Sequence, residues 1–92
     1  MEIRDIPEDK RLRQLAEECS EGAQAALKLI RAYEGEKQLD KTACRLHLIE
    51  ELADIIVCIN AILTETDRVV GYKYIAEKEK RWKERLNGGS KS

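Results

Sequence analysis

The sequence predicts an all-α fold: an antiparallel hairpin of two long helices plus a shorter third helix, forming a helical bundle by dimerisation. Three observations carry this. Apolar residues recur at three- and four-residue steps rather than in strand alternation. Only a short polar connection separates the first two periodic stretches, which makes them antiparallel neighbours. The second half of the middle stretch is apolar nearly all round, which implies neighbours on several faces.

The first helix is expected to begin at Pro7, the only proline, followed by Glu8 and Asp9 as suits a first turn. Leu12, Leu15, Ala16, Cys19, Ala23, Ala26, Leu27 and Ile30 supply its apolar stripe. The pattern stops near Gly35, and "GEKQLDK" is the connection, with Asp40 or Thr42 as candidate cap of the next helix. That second helix is expected over about Thr42 to about Asp67, with Ala43, Leu46 and Ile49 on one side of its first half. Gly71 breaks the pattern, and "YKYIAEKEKRWKERL" is a third, basic and very short helix ending at Asn87 and Gly88. Residues 1–87 form a single domain and 88–92 a flexible tail.

Composition narrows the possibilities. A chain of 92 residues with no Phe and 4% aromatics has little from which to build a core, so association would supply missing burial. Lys plus Arg number 17 against 18 Asp plus Glu, and a net charge of -1 singles out no partner. The longest apolar stretch carries Asp54 and Asn60 and is too short for a bilayer. Three cysteines without a CxxC pair, and no signal-like apolar N-terminus, lead to the expectation of a cytoplasmic protein without membrane contact.

Two acidic clusters stand out, "EECSE" on the first helix (Glu17, Glu18, Glu21) and "EELAD" on the second (Glu50, Glu51, Asp54). Residues three apart lie about 60° apart around a helix, so Glu18 pairs with Glu21 and Glu51 with Asp54. An antiparallel hairpin can bring the pairs face to face, where four carboxylates repel unless protons or cations compensate. Magnesium prefers such oxygens and keeps waters that phosphates can displace. "EECSE" alone also fits a solvated helix face. "EELAD" fits one less well, because Asp54 is followed directly by Ile55, Ile56, Val57, Cys58 and Ile59. Gln24 and Lys28 are polar groups on the first helix available to a ligand.

With both clusters placed, the chain resembles the MazG-like all-α nucleoside triphosphate pyrophosphohydrolases over roughly residues 8 to 86. That family carries EExxE on one helix and ExxD on the next, here Glu17-Glu18-x-x-Glu21 and Glu51-x-x-Asp54. The resemblance implies that Glu18, Glu21, Glu51 and Asp54 hold Mg2+, with Mn2+ as a substitute ion. Glu17 matches the first acid, which with Glu18 serves the attacking water, and Glu50 is expected to support the ligands. It implies cleavage of a nucleoside triphosphate between the α- and β-phosphates, and a homodimer or homotetramer. Family members often carry a Lys, an Asn four residues later and an Arg seven later. Lys78 and Arg85 match the outer positions, and Trp82 stands where the Asn would be. Trp82 either stacks on a base or packs the third helix onto the hairpin.

His47 lies one turn before Glu51, within reach of that acid, and with Cys44 forms a C-x-x-H pair two ligands short of structural zinc. Cys19 and Cys58 are expected in the core as small apolar residues. Asn60 has either an interface or a pocket role. The basic third helix suits nucleic acid, but the acidic clusters oppose it, so no nucleic-acid partner is expected. The alternative to an enzyme is a helical dimerisation or binding module with a degenerate acidic site, favoured by Trp82 and the brevity of the third helix.

Overall fold

The computed structural model describes residues 1–88 and contains, in order, a 3-10 turn η1 (Ile3–Asp5) and helices α1 (Glu8–Tyr33), α2 (Lys41–Ile62) and α3 (Glu65–Leu86). There is no strand among the described residues. The tail expected at 88–92 lies outside them apart from Gly88. Residues 1–62 and the segment from Leu63 onward form two compact units.

In the first unit, α1 ends in a Schellman arrangement. Gly35 takes a φ of 92, which a side chain would resist, so Glu36 N–H reaches the Arg31 carbonyl at 3.1 Å and Gly35 N–H the Ala32 carbonyl at 3.2 Å. Asp40 caps α2, its carboxylate accepting the Ala43 N–H at 2.8 Å. The helices then run antiparallel. Leu29 and Ala32 pack with Cys44 near the turn, and Gly22 meets Ile55 halfway along. At the open end the Arg11 Nη1 donates to the Ala61 carbonyl. Arg4 Nη2 donates to the Asn60 carbonyl at 2.7 Å, so two guanidiniums meet carbonyls at the C-terminal, negative end of α2. Asn60 is thus engaged through its backbone, while its residue as a whole is exposed.

The seam differs from the expected stripe. On α1 the buried residues are Gly22, Ala25, Leu29 and Ala32, in line with half-buried Leu15 and Glu18. Leu12, Leu27 and Ile30 of the expected stripe are exposed. On α2 the inward line is Cys44, Leu48, Glu51, Ile55 and Cys58, whereas Leu46 and Ile49 face outward. Both lines step by four and three, the spacing of a coiled-coil seam. Small side chains let the helix axes approach, and hydropathy alone undervalues them. Cys19 is exposed rather than in the core, and it is Cys44 that is buried. Hence the hairpin leaves many large apolar side chains uncovered, among them Leu52, Ile56 and Val57.

The middle helix is shorter than expected and the third longer. Thr64 interrupts the chain with an extended backbone and forms a capping box with Asp67. Its Oγ1 accepts the Asp67 N–H at 3.1 Å, and the Asp67 carboxylate accepts the Thr64 N–H at 2.9 Å. Those bonds hold the Asp67 carboxyl below its usual range. Helix α3 therefore starts at Glu65, passes through Gly71 without interruption and spans 22 residues. Gly88, with a φ of 74, follows its C-cap Asn87.

A Cβ on Gly22 would meet the Ile55 Cδ1 at 2.9 Å. That methyl is the end of a flexible side chain, and alanine is the better helix former, so the two effects oppose each other. Gly22→Ala is expected to change stability by less than about 1 kcal/mol. Gly22→Leu, which cannot be absorbed this way, should cost about 1–3 kcal/mol. Urea midpoints at constant m-value check both; equal midpoints for the two variants would show that the seam is not closely packed at Gly22.

Candidate carboxylate site

Glu18 falls on the inner line of α1 because it lies four residues before Gly22, and Glu51 on that of α2 because it lies four before Ile55. Helical periodicity thus delivers two carboxylates into an apolar seam. Asp54, one turn beyond Glu51, is exposed at its edge. Glu18, Glu51 and Asp54 each present a carboxylate oxygen such that the three lie within 4.8 Å of one another.

The two seam acids are held alike. Gln14 Nε2 donates to Glu18 Oε1 at 2.8 Å, and His47 Nε2 lies 3.3 Å from Glu51 Oε1. In each case the partner comes from one turn earlier on the same helix. The other oxygens, Glu18 Oε2 and Glu51 Oε2, are buried and have no hydrogen-bond partner. Buried carboxylate oxygens in that condition are costly and call for a proton or a cation. A hard divalent cation fits this donor set, which is all carboxylate oxygen.

Glu21 joins the same field. Its carboxyl is pushed above the usual range, mainly by the charge of Glu51, then by desolvation and a side-chain hydrogen bond to Glu51, with Glu17 and Asp54 adding to it. All four acids of the ExxE and ExxD pairs therefore interact. Cys58 lies beside them, its thiol raised by burial and by the charges of Glu18, Asp54 and Cys19. Its protonated form is thereby favoured.

The remaining residues expected at the site lie at different distances from this centre. Glu17 and Glu50 are exposed, next in sequence to Glu18 and Glu51. Gln24 is exposed on α1, while Lys28 borders a concavity near the α1–α2 turn together with Asp40, Cys44 and His47. Lys78, Trp82 and Arg85 belong to α3, in the other compact unit. There Lys78 and Trp82 share a shallow groove with Ile75 and Leu86, and the Arg85 guanidinium sits 5.8 Å from the centre of the Trp82 ring. Gln14 was not among the residues singled out from the sequence. The signal for it was its i, i+4 spacing to Glu18, the spacing of His47 to Glu51.

No family model matches this chain, and neither does any curated protein or solved structure. Among the described residues no helix is long and apolar enough to cross a membrane.

The raised carboxyl of Glu21 has a definite sign. Its neutral form is favoured by folding, so its contribution is present below the ordinary Glu range and lost as pH rises through the elevated value. In metal-free buffer, Glu21→Gln should therefore raise the melting temperature at neutral pH. The advantage should shrink as the pH is lowered through the carboxylate range. Circular-dichroism melts with a chelator present test this, and an advantage independent of pH would disprove the repulsion.

Proposed function

We propose that the chain is a Mg2+-dependent nucleoside triphosphate pyrophosphohydrolase of the MazG-like kind, releasing nucleoside monophosphate and pyrophosphate. The observation that supports it most is the meeting of the Glu18, Glu51 and Asp54 carboxylates across the hairpin, where Glu18 and Glu51 each bury one oxygen without a partner. Such oxygens need a proton or a cation to offset their burial, and an all-carboxylate donor set suits a hard divalent cation.

Glu18, Glu51 and Asp54, with Glu21 alongside, are the residues that would hold the ion. When bound, the ion neutralises phosphate charge and acidifies a water. Glu17, exposed at the start of the acidic motif, is suited to orient that water and accept its proton. Lys28, on the same hairpin as the acids, offers an ammonium to the polyphosphate. An in-line attack at the α-phosphorus needs the water and the phosphate held together, which a rigid hairpin seam favours over a loop.

The same reading includes self-association into a homodimer or homotetramer. The exposed Leu27, Ile30, Leu52, Ile56 and Val57 on the two hairpin helices support it, because a monomer would leave that apolar surface in water.

Incubation with a panel of nucleoside triphosphates and Mg2+ should yield equimolar monophosphate and pyrophosphate. Asp54→Asn should lose at least about a hundredfold in rate while remaining helical. Inactivity across the whole panel, or full activity of Asp54→Asn, contradicts the proposal. Light scattering at micromolar concentration should give a dimer or tetramer, and a monomer would remove the association.

A further inference from the structure

We infer that Gln14 is a positioning residue for the carboxylate site, fixing one oxygen of Glu18 so that the other stays buried and turned toward Glu51 and Asp54. The inference rests on the cation-site reading above and adds to it a residue that neither acidic motif contains.

The geometry is specific. The Gln14 amide Nε2 donates to Glu18 Oε1 at 2.8 Å. Oε2 of the same carboxylate is buried and unpartnered. A carboxylate facing Glu51 and Asp54 is driven by repulsion to swing toward water, and Gln14 opposes that swing. It does so with a neutral donor. A lysine at the same position would also hold Glu18 but would bring a positive charge that competes with a cation.

The arrangement on α2 is the same in kind. His47 stands one turn before Glu51, 3.3 Å from its Oε1, and leaves Oε2 buried and unpartnered. A polar side chain one turn earlier thus accompanies each seam acid, and on α1 it is a hydrogen-bond donor. A Gln–Glu pair that merely stabilised an exposed helix would have no reason to leave its acceptor half-buried in a seam. Gln14 itself is exposed, so its replacement removes the hydrogen bond without opening a cavity.

The test uses the full chain and the metal alone. Mg2+ affinity is measured by calorimetry, and Mn2+ occupancy and symmetry by electron paramagnetic resonance, for the wild type, Gln14→Ala and Gln14→Met. Methionine keeps the length and helix propensity of glutamine without its donor, which guards against a folding defect in the alanine variant. Both variants should bind about tenfold more weakly or worse, with an altered Mn2+ line shape and unchanged melting temperature. Wild-type affinity in either folded variant overturns the inference about Gln14 alone. A wild type that binds neither ion overturns the cation-site reading and this inference with it.

Discussion

The hairpin is organised around two carboxylates placed where a helical seam ordinarily carries leucine. Glu18 and Glu51 occupy inward positions of the four-three repeat, and each buries one oxygen without a partner. The surroundings follow from that constraint. Gly22, Ala25 and Ala32 keep the helices close enough for the acids to meet. Gln14 holds one oxygen of Glu18, and His47 lies beside one oxygen of Glu51. Inward positions given to acids and small residues bury little apolar area, so the larger side chains lie on the outer faces. The poor internal core and the candidate site are two results of one choice of residues.

The field of these acids reaches beyond the ligand candidates. Glu21 is pushed toward its neutral form by Glu51, and the protonated form of the Cys58 thiol is favoured by burial and by Glu18 and Asp54. Both shifts run in the direction that concentrated negative charge dictates. Cys58 therefore acts as a small apolar wall of the seam, while Cys19, one residue after Glu18, points out of it.

Local rules were enough for much of the fold. Pro7, Gly35, Asp40 and the Asn87–Gly88 end each mark a terminus through backbone chemistry confined to a few residues. The boundary at Thr64 escaped because Gly71 is the more obvious breaker, while Thr64-x-x-Asp67 adjoins an apolar run whose pattern carries on past it. A glycine inside a helix is tolerated; a reciprocal cap terminates one helix and starts another. The seam escaped for a different reason: Gly22, Ala25 and Ala32 carry little hydropathy, so Leu12, Leu27 and Ile30 dominated the pattern while lying outside it. The acids were readable because three-residue spacing on each of two helices survives such errors. Gln14 was not, since an exposed polar residue on a helix has no distinctive pattern until its partner is placed.

The guanidiniums of Arg4 and Arg11 bridge separations of 56 and 50 residues to reach the end of α2. By contrast, the Schellman turn and the Leu29–Ala32–Cys44 cluster link neighbours in sequence. Loop-closure entropy separates the two kinds of contact: those at the turn close a short loop, whereas the arginine contacts close nearly the whole unit. The carboxylates lie between the two, with the short-range turn on one side and the long-range arginine contacts on the other, so both ends of the hairpin are closed around them.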